Sequence, residues 1–159
     1  RIPDWQPRSV LDLGAGTGAA TLAARELFEH PIGAVLVEQD PDLAAAASAL
    51  LPEAILETQD VTRWAPVQSF DLILITYALG ELPPASRTRV LAAAWSHAQT
   101  LVIIEPGSPR GFEIIRDARR QLLAAGAGLA APCPSAADCP IPANDWCHFA
   151  QRLERSALH

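Results

Sequence analysis

Val10-Leu11-Asp12-Leu13-Gly14-Ala15-Gly16-Thr17-Gly18-Ala19-Ala20 decides how the rest of this chain is read. An apolar run of strand length, Ser9 to Leu13, leads into a loop with glycine at every second position. Helical periodicity follows from Thr17 to Glu29, with Leu22, Ala23, Leu27 and Phe28 marking one face and Pro31 and Gly33 ending it. A buried strand, a glycine loop and a helix start together make the entry to a nucleotide-cofactor domain.

The same grammar repeats downstream. Ala34 to Val37 reads as a second strand closing on Glu38, and Pro41 suits the first turn of an Ala-rich helix that Pro52 stops. Ala54 to Glu57 is a short third strand, followed by Gln59-Asp60. Phe70 to Ile75 is the most apolar strand, Pro83-Pro84 breaks the path after it, and Ser86 is a candidate cap for a helix to about His97. Leu101 to Ile104 forms a fifth strand, and Phe112 to Ala125 a helix with a basic face, closed by Gly126 and Gly128. Continuous apolar strands alternating with helices predict an α/β fold: a doubly wound, Rossmann-like parallel sheet with helices on both faces.

Upstream, Arg1 to Pro7 is a polar lead-in whose Trp5 is expected on the domain edge. Beyond Ala130 the pattern changes. Ala131 to Pro142 carries four prolines and two cysteines and excludes a helix or an inner strand. Trp146 to Arg155 returns to strand-like alternation, with Cys147, Phe149 and Leu153 on related faces. The division expected is a core over 1–127 and a Cys/Pro-rich lobe with a late strand over 128–159. The chain opens almost directly on its first strand without Met, and a complete sheet of this kind needs one strand more, so a segment of a longer protein is expected.

Half the residues are hydrophobic and charge is sparse, which predicts a globular domain with a real core. No apolar run reaches the roughly 18–20 residues of a membrane span, and no membrane partner is expected; a monomer is. Net charge is −6, and all twelve basic residues are Arg. Acids outnumber Arg before Glu105, which disfavours a nucleic-acid surface there. Arg110, Arg116, Arg119 and Arg120 cluster afterwards, to touch phosphates or to form a solvated helix face.

Three positions interpret the glycine loop. Gly14-x-Gly16-x-x-Ala19 also matches a dinucleotide fingerprint. Asp12, two residues before Gly14, would repel a pyrophosphate but suits the ammonium group of S-adenosylmethionine. Glu38, with Gln39 beside it, ends the second strand where a carboxylate accepts from ribose hydroxyls. Asp60-Val61 follows the third strand where an acid can accept from the adenine amino group, although Asp there is also ordinary turn chemistry. The binding set is therefore Asp12, Gly14, Ala15, Gly16, Gly18, Glu38, Gln39, Asp60 and Val61. After the fourth strand stands Thr76-Tyr77-Ala78-Leu79-Gly80-Glu81, not the Asn/Asp-Pro-Pro-Tyr turn of nitrogen methylation. Tyr77 and Glu81 are placed to face a reacting methyl group, or to pack; His97 is a surface or capping residue. No general base is named.

Cys133, Cys139 and Cys147 have neither zinc-ribbon nor ferredoxin spacing. They read as a metal site or as thiols, with flanking prolines favouring a fixed open loop. Pro132-Cys133 fits a cytosine-methylating nucleophile only superficially, because it lies far from the fourth strand.

Residues 8–125 resemble the class I S-adenosylmethionine-dependent methyltransferase fold. Tyr77-Ala78-Leu79-Gly80-Glu81-Leu82, Ile104 to Phe112, Arg116-Asp117-Ala118-Arg119, Ala131-Pro132-Cys133-Pro134 and Asp145 to Arg152 together resemble the methyltransferase-like family of small-ribosomal-subunit assembly, mitochondrial and bacterial. The resemblance implies work on the small subunit and its rRNA, in bacterial cytoplasm or in mitochondria of eukaryotes. It also implies an iron–sulfur cluster, of the 4Fe-4S kind, on cysteines matching Cys133, Cys139 and Cys147 with a fourth from downstream; zinc is the alternative. Here no fourth cysteine exists, His148 adjoins Cys147 on the opposite strand face, and His159 is terminal.

Overall fold

The computed structural model describes residues 5–28, 32–142 and 144–152. Its elements are β1 (Ser9–Leu13), α1 (Ala19–Leu27), β2 (Gly33–Glu38), α2 (Pro41–Leu50), β3 (Ile55–Thr58), β4 (Phe70–Thr76), α3 (Pro84–His97), β5 (Ala98–Ile104) and α4 (Pro109–Ala124). A short 3-10 turn, Leu79–Glu81, lies between β4 and α3. All five strands are parallel, in the order β3-β2-β1-β4-β5. This is the doubly wound arrangement read from the sequence.

Strand alternation sorts the core into two faces. Leu11, Leu13, Val37, Ile73 and Ile75 pack with Val90, Leu91 and Ala94 of α3 and Ile114 and Ala118 of α4. Their neighbours point the other way: Val10, Leu72 and Leu74 meet Ala24 of α1, and Ala34 and Leu36 meet Ala47 of α2 and Leu51. Asp12 shares parity with Val10 and pairs in register with Leu36 and Leu74. Its carboxyl therefore belongs to the face that α1 covers.

At the amino end of the sheet, Asp71 ties β4 to β1. Its Oδ2 accepts from the Arg8 and Ser9 amides (2.8 and 3.0 Å) and from the Ser9 hydroxyl (3.1 Å). The Asp71 amide donates back to Ser9 Oγ at 3.0 Å. These donors hold the Asp71 carboxyl below the usual range, the Arg8 amide above all.

Several local expectations change. The α1 helix begins at Ala19 rather than Thr17, because Gly18 caps it in the left-handed region at φ 80°. Its buried residues are Thr21 and Ala24, while Leu27 is 77% exposed. The α3 helix starts before Ser86: Pro84 presets φ for the first helical position. Ser86 lies inside that turn, donating its amide to Pro83 O. Pro41, Pro109 and Gly126 act as helix punctuation, Gly126 at φ 87°. The late strand is absent over residues 146–152, which carry no strand or helix and find no sheet neighbour. Leu153 to Arg155, His159 and the Pro31 helix stop lie outside the described residues.

Candidate functional site

The strand order reverses at β1, which lies between β2 and β4. In open α/β sheets ligands bind outside the carboxyl ends of the strands at this point. The glycine loop leaves β1 here and is stitched to the end of β2. The Gly14 and Ala15 amides both donate to Val37 O, at 2.9 and 3.0 Å. Gly14, Gly16 and Gly18 have φ of 73°, 56° and 80°, which L side chains rarely adopt. A Cβ on Gly14 would lie 2.6 Å from Ala78 Cβ, so the loop also abuts the segment after β4. A Cβ on Gly16 would meet nothing within 4 Å, so that backbone borders open space.

Asp12 has no solvent exposure. Thr21 Oγ1 donates to its Oδ2 at 2.8 Å. Its Oδ1 is buried and has no hydrogen-bond partner among the described residues. Burial pushes the Asp12 carboxyl up to about 6; the Thr21 hydrogen bonds oppose this and the Glu38 charge adds to it. An orphaned, desolvated carboxylate oxygen is stabilised by a cation or a strong donor brought in from outside.

Glu38 is also buried. Its Oε2 accepts from the Gly16 amide at 2.7 Å and its Oε1 from the Asp40 amide at 2.8 Å. One carboxylate thus holds the tip of the glycine loop and the turn into α2, with lone pairs left on both oxygens. Asp40 caps α2, accepting from Asp42 and Leu43 amides. Asp60 stands next to this group, since the Gln59 amide donates to Glu38 O at 3.1 Å. Asp60 Oδ1 accepts from the Thr62 amide at 2.8 Å, and that bond holds its carboxyl below the usual range. Val61 packs against the core, and Gln39 is exposed. The structure therefore brings together Asp12, the glycines, Ala15 and Glu38, with Asp60 alongside.

The segment after β4 forms the other wall. Tyr77 takes φ 57°, strained for a side-chain-bearing residue, and is 61% exposed. Its amide donates to Ile104 O at 2.8 Å, which ties it to the end of β5. Glu105 Oε1 accepts from the Gly80 amide at 3.3 Å, and Arg110 donates to Gly80 O at 2.8 Å. Partial burial raises the Glu105 carboxyl above its ordinary value, against hydrogen bonds from Gly80 and Leu79. Gly111 has no room for a side chain: a Cβ there would lie 2.0 Å from Pro106 O. Thr21 and the Glu105–Gly80 contact were not assigned from sequence. Thr21 is the lone polar residue in its helix turn, and that oddity was its available signal.

Each of the four clustered Arg has a partner within the chain. Arg110 serves Gly80, Arg116 lies over the Phe112 ring at 5.3 Å, Arg119 binds backbone carbonyls and Arg120 pairs with Asp117. The cysteines are not brought together. Cys133 and Cys147 are exposed, Cys139 is half-buried, and all three are free thiols. Among the described residues no three His, Cys, Asp or Glu side chains form a group able to hold a metal. In this arrangement the cysteines do not fit a preformed cluster or zinc site. No described helix is long and apolar enough to cross a membrane.

A family model described as mitochondrial small ribosomal subunit Rsm22 matches residues 1–159. The human mitochondrial ribosome assembly protein METTL17 is 28% identical over 172 residues, covering 95% of this chain and 38% of its own length. This chain therefore spans well under half of that relative. Among solved structures, CalS10 of Micromonospora echinaspora is an amino pentose methyltransferase with S-adenosylmethionine bound. It aligns with TM-score 0.55 and 29% identity over 70% of this chain and 47% of its own. The plantazolicin methyltransferase BpumL, solved with S-adenosylhomocysteine, aligns with TM-score 0.57 over 77% of this chain and 45% of its own; at 16% identity it bears on fold alone.

Proposed function

This chain belongs to the Rsm22 family of the mitochondrial small ribosomal subunit, and from that premise we propose that it is a methyltransferase-like ribosome assembly protein that binds S-adenosylmethionine beside β1. The observation that carries the cofactor reading is the orphaned Oδ1 of buried Asp12 at the mouth of a glycine loop. An ammonium group supplies the missing partner, whereas a pyrophosphate would add like charge. Gly16, open to solvent-side space, allows close approach of a ligand to backbone. Glu38 accepts from ribose hydroxyls with the lone pairs that Gly16 and Asp40 leave free. Asp60 does the same for the adenine amino group with its second oxygen, and Gln39 and Val61 flank these two. When bound, the cofactor supplies a sulfonium methyl group that a nucleophile can take.

Calorimetry with S-adenosylhomocysteine on the full-length protein tests this. Micromolar binding that weakens at least about tenfold in Asp12→Ala supports the reading. No binding, or undiminished binding in the variant, sinks it.

A second reading concerns turnover. The post-β4 segment lacks a nitrogen-methylation turn, and Glu105, next to the Ile104 that Tyr77 binds, is already engaged with Gly80. These features favour a factor that holds the cofactor and acts as a scaffold on the small subunit and its rRNA. Mass spectrometry of small-subunit rRNA with and without the gene separates the readings: a methyl group lost with the gene and restored by purified protein establishes an enzyme. A cluster on Cys133, Cys139 and Cys147 rests on the resemblance alone, since among the described residues these thiols form no metal-holding group. Iron, sulfide and zinc analysis of anaerobically purified full-length protein decides it.

A further inference from the structure

Thr21 is the polar side chain that α1 buries; the other buried residue of that helix is Ala24. Burying a hydroxyl is costly unless it is hydrogen-bonded, and a helical threonine ordinarily returns its proton to a carbonyl one turn earlier. Thr21 gives it to Asp12 Oδ2 instead, at 2.8 Å. Gly18, the cap of this helix, has no side chain to offer the first turn. The Asp12 carboxyl takes that place, and the Thr21 amide faces it together with the hydroxyl.

A strand acid that merely capped a helix would have no need to leave an oxygen bare. Oδ1 of Asp12 is buried and has no hydrogen-bond partner among the described residues. Leu36 of β2 and Leu74 of β4 flank Asp12 in register, and neither side chain is a donor. Glu38, at the end of β2, is the charge that acts on Asp12, and it repels. The carboxyl torsion of an aspartate is broad and two-fold. A hydroxyl bonded to one oxygen therefore also fixes where the other one points. Thr21 has no solvent exposure, so it acts through Asp12 and not on a ligand.

We propose that Thr21 is a positioning residue of the cofactor site: by holding Oδ2 it commits Oδ1 of Asp12 to the ligand's ammonium group, met directly or through one bridging water. This rests on the reading that S-adenosylmethionine binds beside β1. The same hydrogen bond sustains the ionised acid. Without it, the Thr21 amide opposes burial and the Glu38 charge without the hydroxyl's help. A proton then settles on the unpartnered Oδ1, where it excludes an ammonium donor.

The test is calorimetry on the full-length protein from pH 5 to 8.5, with two ligands. S-adenosylhomocysteine carries the ammonium group; methylthioadenosine keeps the adenosine and the sulfur but lacks it. Thr21→Val exchanges the hydroxyl for a methyl at nearly constant shape. It is expected to move the pH midpoint of S-adenosylhomocysteine binding up by about one to two units and to weaken binding at pH 7 about three- to tenfold. Methylthioadenosine binding should stay within about twofold of the natural protein, because no ammonium group is lost. Thr21→Ser keeps the donor and should restore both affinity and midpoint; Thr21→Ala carries the test if Thr21→Val does not fold. An unmoved midpoint in the variant without the hydroxyl, equal losses for both ligands, or a Thr21→Ser protein that behaves like Thr21→Val each overturns the proposal and leaves the cofactor reading standing. Failure of the natural protein to bind S-adenosylhomocysteine at any pH overturns both.

Discussion

Asp12 is held where an ionised carboxylate is costly. It is sealed between α1 and the sheet, and only one of its oxygens is satisfied. With its pKa pushed up to about 6 by burial, its proton affinity is higher in the folded than in the unfolded chain. Its contribution to stability is therefore complete below the unfolded pKa, near 4, and is lost as pH rises toward 6. A shift of that size corresponds to about 2–3 kcal/mol at most. Thermal melts from pH 4 to 7 should show stability declining through this window, and Asp12→Asn should flatten that slope. Cofactor binding should run the other way, because only the ionised form attracts an ammonium group. The burial of Asp12 was legible because it lies within an apolar run of strand length. Thr21 was not, since apolar periodicity in α1 drew attention to Leu22, which packs half-buried at the edge of the core, and to Leu27, which the fold leaves exposed.

At the scale of elements, the five strands were legible because parallel strands buried on both faces are nearly continuous apolar runs. Helix starts were less so. Gly18 delays α1 through its left-handed backbone, and Pro84 advances α3 by presetting φ; both are backbone effects that side-chain periodicity does not register. The alternation after Trp146 produced no strand over the described residues, because alternation needs an edge to pair with and this segment docks on a loop instead. Two predictions belong here. Gly14→Ala places a methyl 2.6 Å from Ala78 Cβ at φ 73°, which should destabilise the fold by about 1–3 kcal/mol in urea unfolding and weaken S-adenosylhomocysteine binding. Asp71→Ala removes an acceptor shared by three donors at the opposite end of the sheet. It should cost about 1–3 kcal/mol while leaving the cofactor affinity unchanged. Because the Asp71 carboxyl is held below its usual pKa, its contribution is present above the unfolded pKa and is lost as pH falls through the folded value.

For the molecule as a whole, the parts that distinguish one cofactor from another lie within one corner of the sheet, and the parts that suggest a cellular role lie elsewhere. The clustered Arg find partners on the protein's own carbonyls, a ring and an aspartate. Spacing in sequence had no means of showing that. The cysteines belong to a segment that docks on the core through Arg119 and Trp146, and sequence spacing did not show that either. A ligand held by Asp12, Glu38 and the glycine loop bridges β1, β2 and α1, so it should stabilise the whole domain, by about 2.7 kcal/mol at a hundredfold excess over Kd. The most direct test of this account is calorimetric titration of the full-length protein with S-adenosylhomocysteine at pH 5 and pH 7.5, for the natural sequence and for Asp12→Asn. Binding that strengthens several-fold between the two pH values in the natural protein, and is weak and pH-independent in Asp12→Asn, is the predicted result. Equal affinity in both proteins at both pH values would contradict it.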